Sequence, residues 1–320
     1  MKKLVSQCKE LFARSCTLNM DKAWKWIAIS SIVLLFATQL FDMQVQIKPK
    51  FLGAGASETA SQQDDQAVIA SLQKQILPEQ GVVLPVRWGD LGKRMAEAGV
   101  IDKARFEELY KDRGGMSLEE QAILSGENNG SLVMTMQNSG FLLNMLWAFG
   151  LGNKNAVLEQ GPMMQGGRED AARFASTGGW SLAKGDVMNH YSAYPFVTLT
   201  QEQQDMVERV SQNIFRPCCG NSTYFPDCNH GMAMLGLIEL MASQGVSEND
   251  MYAIALQVNS FWFPDTYLTV GRYFAKRDVK WSELNPKDIL GSLYSSAQGY
   301  QQILQEVQPV PAAGGGGCGI

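Results

Sequence analysis

The chain has 320 residues, 45% of them hydrophobic, and its 27 Lys and Arg stand against 32 Asp and Glu for a formal net charge of −5. That length and apolar content are those of a packed globular protein with room for one large domain or two modest ones. The charge is mild and spread along the chain, so there is no basic field to gather phosphate backbones, and nucleic acid is not expected as a partner.

Residues 24–41 read WKWIAISSIVLLFATQLF, with no charge between Lys25 and Asp42. Roughly 17 to 25 residues cross a hydrocarbon core, so residues 24–42 are read as a transmembrane signal anchor. Lys2, Lys3, Lys9, Arg14, Lys22 and Lys25 precede the run against only Glu10 and Asp21. The positive-inside rule then places residues 1–23 in the cytoplasm and the rest outside the cell membrane, with Trp24, Trp26 and Phe41 at the two interfaces. Cleavage after the small residues Ala54-Gly55-Ala56 is the competing reading. That site lies well past the apolar run, and the basic segment is long for a signal peptide, which favours an uncleaved anchor. Cys8 and Cys16 would face the cytoplasm, whereas Cys218, Cys219, Cys228 and Cys318 would lie where disulfides persist.

Residues 43–65 include GAGASETASQQDD, which offers nothing to bury and reads as a flexible tether. An exported domain is expected over residues 66–308. Val68, Ile69, Leu72 and Ile76 follow helical spacing, and Pro78 and Pro85 mark an extended link into Trp88. A helix is predicted from Asp90 to a stop at Gly99, and another after the cap Asp102 with Phe106, Leu109 and Tyr110 on one face. Ser117 with Glu120 forms a capping box. Residues 141–149, FLLNMLWAF, end at Gly150 and read as a buried central helix too short to be a second membrane span.

Between Gly150 and Phe196 the pattern breaks into a Gly-rich segment that holds His190, expected to be a structural hydrogen-bonding residue. A second capping box, Thr200 with Gln203, opens a helix through Ile214. Later helices are predicted at residues 232–241, after the Ser247 cap, from Thr266, and from Pro286 to Leu304. Residues 309–320 are read as a disordered Gly-rich tail. Only VVLPV and FVTLT look like strands, so the expected fold class is all-α: a multi-helix globular domain on a single N-terminal transmembrane helix.

Half of the six cysteines and one of the two histidines fall in residues 216–234, RPCCGNSTYFPDCNHGMAM. Cys218, Cys219, Cys228 and His230 are soft and borderline ligands, and Cys3His is a recognised four-coordinate zinc set that also suits copper or iron. Met232, Met234 and the tail Cys318 are further candidate ligands, and the two methionines tilt the ion from Zn(II) towards Cu(I). Cys228 precedes a predicted helix, whose free N–H groups and positive end would stabilise a thiolate. Structural zinc sites usually space their cysteines as CxxC, whereas adjacent cysteines point apart, so a disulfide from Cys228 to Cys218 or Cys219 is the alternative.

Residues 217–251, PCCGNSTYFPDCNHGMAMLGLIELMASQGVSENDM, resemble the core of the exported bacterial PCYCGC-motif proteins. The shared features are the Pro-Cys and Cys-Gly opening, a later Asp-Cys, a His-Gly, and a helix ending before a GVS-type cap. The resemblance pairs Cys218, Cys219, Cys228 and His230 with that family's recurring positions, and this chain lacks the family's additional cysteines. Cys219, Ser222, Pro226 and Cys228 also keep the middle of the spacing of CDGSH iron–sulfur proteins. There the first two cysteines are separated by one residue and the His comes two residues later, so an iron–sulfur cluster is not expected. There is no CxxCH for a c-type haem.

No nucleophile elbow, HExxH, Walker motif or kinase set is present, so no catalytic constellation is assigned. Cys228 and His230 are the one candidate Cys-His pair, and residues two apart at a helix start are expected to diverge. The chain is thus read as a membrane-anchored, extracytoplasmic protein with a Cu- or Zn-binding loop. The alternatives are an envelope protein with a disulfide-stabilised loop and an unknown protein partner, or a thiol-disulfide exchanger using Cys218, Cys219 and Cys318.

Overall fold

The computed structural model describes residues 55–312 except 112 and 127, with side chains from residue 65 onward, and these condense into fourteen α-helices and one two-stranded ribbon. Helix α1 (Gly55–Ile76) leads into strand β1 (Val82–Gly89), followed by α2 (Leu91–Ala98), α3 (Lys103–Lys111) and α4 (Leu118–Ser125). Strand β2 (Asn128–Met134) pairs antiparallel with β1, Val83 opposite Val133 and Arg87 opposite Ser131. The register shifts between these pairs, around Pro85, which cannot donate to the ladder. Then come α5 (Ser139–Gly152), the short α6 (Ala156–Gln160) and α7 (Gly167–Ala171), and α8 (Gln201–Gln212). The last third holds α9 (Asn229–Ser243), α10 (Glu248–Trp262), α11 (Pro264–Ala275), α12 (Pro286–Leu290), α13 (Ser292–Ser295) and α14 (Ala297–Ile303).

Two of these helices are apolar all round, and such helices are stable only when wrapped by others. In α5 every residue but Gly140 is buried, and in α9 every residue from His230 to Ala242. They cross where Gly150 meets Gly236: a methyl on Gly236 would fall 2.6 Å from the Leu146 carbonyl oxygen and 2.8 Å from the Gly150 nitrogen. Gly150 therefore lies inside α5 as a contact residue, and the helix runs on to Gly152 rather than ending there. The more amphipathic α8 and α10 cover this pair, α11 packs on α10, and α1 lays Leu72 and Ile76 against Gly271 of α11.

The expected caps form. Ser117 and Glu120 exchange both bonds of a capping box, as do Thr200 and Gln203, and Asp102 accepts from the Ala104 and Arg105 amides. Gly99 ends α2 in the left-handed conformation at φ 85°, which glycine reaches without strain.

Several expectations are corrected. The fold is mostly helical but includes the β1–β2 ribbon. VVLPV lies in β1, whereas FVTLT forms no strand, its Val197 amide donating to the Asn153 side chain. Part of the expected tether is helical, since α1 starts at Gly55, and Asp65 pairs with Arg272. The helix expected from Pro286 to Leu304 breaks into α12, α13 and α14, because Gly291 and Ser296 are extended and Ser296 caps α14. The beginning of the expected tail is fixed: the Val310 amide donates to Thr269 Oγ1 at 2.9 Å and the Ala312 amide to Asp265 Oδ1 at 2.6 Å. Among the described residues no helix is long and apolar enough to cross a membrane. Residues 1–54, with the expected anchor, and residues 313–320, with Cys318, lie outside them.

The core also holds one carboxyl. Glu239 of α9 is fully buried, accepts a 2.6 Å hydrogen bond from Asn153 Nδ2, and leaves Oε1 without a partner. Desolvation raises its pKa well above the carboxylate range, and the Asn153 bond offsets only part of this. The native state keeps this proton at pH values where the unfolded chain has lost it, so stability falls as pH rises out of the carboxylate range.

Two outcomes are expected in denaturant unfolding. Gly236→Ala forces α5 and α9 apart and lowers stability by about 1–3 kcal/mol, whereas Gly140→Ala, whose Cβ meets nothing within 4 Å, is neutral or stabilising by up to about 1 kcal/mol. Glu239→Gln gains stability on the wild type as the buffer goes from about pH 4 to about pH 8; a difference that stays constant with pH would show that Glu239 ionises in the folded chain as it does in the unfolded one.

Candidate metal centre

The cysteine loop leaves α8 and returns as the N-terminus of α9. Its base is closed by the main chain: Phe215 bridges Ser222, and the Thr223 amide and hydroxyl both donate to the Ile214 carbonyl, at 2.7 and 3.0 Å. The Phe215 amide donates to the Leu290 carbonyl (2.8 Å), and its own carbonyl accepts from Asn259 Nδ2 (3.2 Å). At the tip, the Cys219 amide donates back to the Arg216 carbonyl at 3.2 Å, making a β-turn with Pro217 at the position where its fixed φ is favourable. Cys218 and Cys219 thus occupy the last two positions of one turn. The Ala297 amide, at the start of α14, pins the Cys219 carbonyl at 2.9 Å.

Cys228 is the N-cap of α9, with extended backbone, and its Sγ accepts from the Gly231 amide at 3.4 Å. Cys218 Sγ lies 3.6 Å from Cys228 Sγ, and all three cysteines of the loop are free thiols. One sulfur from each of Cys218 and Cys228 and a ring nitrogen of His230 lie within 4.8 Å of one another and form a group able to hold a metal ion. Cys219, Asp227 and Cys228 form a second such group, so Cys228 belongs to both. The expected divergence of Cys228 and His230 is therefore corrected. An extended N-cap does not follow the helical rotation of the residues after it, and here its side chain turns towards that of His230.

His230 is 2% exposed, its ring packed against Phe263 (centroids 4.4 Å apart) and Trp262 (5.8 Å), and its buried Nδ1 has no hydrogen-bond partner. Met232 and Met234 are fully buried in the core. His190 is satisfied on both sides, Nδ1 by the Tyr194 hydroxyl and Nε2 by the Lys184 carbonyl, each at 2.8 Å, as a structural histidine should be.

Sequence reasoning missed Arg216 and Asp227. Arg216 is completely buried, and its Nη2 donates to Asp227 Oδ1 (2.6 Å), to the Phe225 carbonyl (3.2 Å) and to Cys219 Sγ (3.1 Å). The other Asp227 oxygen accepts from Asn221 Nδ2 at 2.9 Å. The guanidinium lies against Gly231, where a methyl would come within 2.7 Å of its central carbon. Arginine directly before Pro-Cys-Cys, with aspartate directly before the next cysteine, was the available signal.

These charges set the state of the thiols. Desolvation works against the Arg216 charge, but Cys228, Cys219, Cys218 and Asp227 together outweigh it and hold its pKa up. Cys228 is driven well below the ordinary thiol range by hydrogen bonds from Cys218 and then Cys219, with His230 and Arg216 adding to the effect against burial. Cys218 is pushed up by its bonds with Cys219 and Cys228. Of the three thiols, Cys228 is the one whose surroundings most favour the thiolate.

A cleft of about 640 Å³ lies elsewhere, between Tyr110, Arg113, Thr135 and Phe141, and shares no residue with the loop. Comparison with protein-family models, with curated proteins and with solved structures finds no match.

Removing the counter-ion of a buried cation leaves an uncompensated charge. Asp227→Ala is expected to lower stability by about 2–4 kcal/mol, Asp227 itself being one-fifth exposed; an unchanged denaturation midpoint would show that the thiols alone suffice to hold Arg216.

Proposed function

We propose that the cysteine loop binds one transition-metal ion through Cys218, Cys228 and His230, and that it does so on an extracytoplasmic domain held at the cell membrane by residues 24–42. The observation that carries this reading is the orphaned imidazole. A buried ring nitrogen without a partner costs about 1–3 kcal/mol, and this ring places a nitrogen within 4.8 Å of two sulfurs. A metal ion there would use a ring nitrogen of His230 and both sulfurs at once.

The sulfur spacing fits zinc and argues against a linear two-coordinate copper. Two thiolates on a tetrahedral zinc with bonds of about 2.3 Å stand about 3.8 Å apart, close to the 3.6 Å between Cys218 and Cys228. A linear two-thiolate copper with similar bonds would need about 4.6 Å. The tilt towards copper rested on Met232 and Met234, and their burial is what core packing alone requires of them. The likeness to the exported PCYCGC-motif proteins falls on the same cysteines and histidine.

A second reading rests on the same sulfur pair. Free thiols 3.6 Å apart need only a modest approach to form a disulfide. That bond would close a loop of about ten residues and stabilise the fold by about 3 kcal/mol on the chain-entropy account, as suits a structural protein of the cell envelope.

The full chain, purified without oxygen and without added reductant, is expected to carry about one equivalent of zinc. Cys218→Ser and Cys228→Ser should each weaken binding at least about tenfold, while Cys219→Ser retains the ion. A metal-free protein with a mass two hydrogens below the reduced chain, and a Cys218–Cys228 peptide on digestion, would decide for the disulfide.

A further inference from the structure

Building on the metal reading, we infer that the ion's fourth position is open on the Cys218 side and takes a thiolate from outside the chain, because Arg216 holds the spare sulfur, Cys219, away from it. The group around His230 has three donors, whereas zinc takes four, and sites that keep three protein ligands leave the last position to an incoming molecule. Cys219 is the obvious fourth ligand, but it is grouped with Asp227 instead of His230.

The reason lies in Arg216. Its Nη2 donates to Cys219 Sγ at 3.1 Å and to Asp227 Oδ1 at 2.6 Å, so the cation that balances this second group is already the guanidinium. Asp227 is committed through its other oxygen to Asn221, and Cys219 is fixed at its carbonyl by the Ala297 amide. A second metal beside a fully buried guanidinium would meet direct repulsion, and rotating Cys219 towards His230 would strip Arg216 of a partner.

The incoming ligand is selected by access and by charge. Trp262 and Phe263 close the His230 side, while Cys218 is exposed, so the vacant direction faces solvent. Two thiolates and a neutral imidazole leave a divalent ion with no net charge, and the positive end of α9 beside it favours an anion. A soft anion matches the soft donors already present. An incoming thiol would lose its proton to solvent as its sulfur replaces a water on the metal. Its source is a small thiol in solution.

Cobalt(II) reports the outcome, since its sulfur charge-transfer absorption grows with each bound thiolate. In the full chain, wild type and Cys219→Ser are expected to show equal absorption per cobalt, and saturating 2-mercaptoethanol should raise both by about half, two thiolates becoming three. A wild type already at the higher level, with Cys318→Ser falling to two-thirds of it, would show the position filled by the chain itself and overturn the inference. A loss of about one third in both Cys219→Ser and Cys219→Ala before any thiol is added would make Cys219 the fourth ligand and overturn the inference. So would unchanged or falling absorption when thiol is added to both wild type and Cys318→Ser. Complete absence of charge-transfer bands from the wild type would overturn the metal reading together with this inference.

Discussion

Everything in the loop is referred to one contact, the backbone-to-backbone crossing of α5 and α9 at Gly150 and Gly236. Two helices with apolar side chains on every face cannot both be buried unless they approach closely enough to exclude voids, and a missing Cβ on each at the crossing allows that approach. The crossing fixes the depth of α9 in the core. It thereby fixes where α9 begins, and that beginning carries Cys228 as its cap and His230 in its first turn. A helix that slid along its neighbour would move its own N-terminus away from the turn that holds Cys218 and Cys219.

The second constraint is electrostatic. A buried guanidinium against the first turn of α9 sits at the positive end of a helix, an arrangement that is unfavourable alone. Asp227 supplies one negative charge at 2.6 Å, and the surroundings of Cys228 favour a thiolate beside it. The same guanidinium bonds Cys219 and not Cys218. Adjacent cysteines in one turn thereby acquire different environments, one exposed beside the imidazole and the other against a cation. Nε and Nη1 of Arg216 and Nδ1 of His230 remain buried without partners, so the unmet polar capacity of this region is gathered around the thiols.

The loop is also stiff for its length. Main-chain bonds from Thr223 and Phe215 close its base, and α12 and α14 hold it from outside through the Leu290 carbonyl and the Ala297 amide. The short helices at the end of the chain therefore have a structural use that a single continuous helix would not supply, because the break at Gly291 and Ser296 turns the start of α14 towards Cys219. A site held by rigid elements keeps its donors at fixed separations, which a metal ion of fixed bond length requires.

The sequence by itself determined what depends on neighbours along the chain. The capping boxes at Ser117 and Thr200, the cap at Cys228, the stop at Gly99 and the buried run in α5 were all legible, because hydrogen bonds to a helix end and a continuous apolar face are local. The set Cys218, Cys219, Cys228 and His230 was legible as chemistry for the same reason. The β1–β2 ribbon was not, since its strands pair across three helices and one contains a proline. Nor was the division of the cysteines into two groups: only the tertiary structure brings the Arg216 guanidinium onto Asp227 and Cys219 and leaves His230 with Cys218 and Cys228. Local sequence names donors and charges, but which of them meet is decided by the crossing of α5 and α9 and by the burial of one arginine, both of which join residues that no sequence period relates.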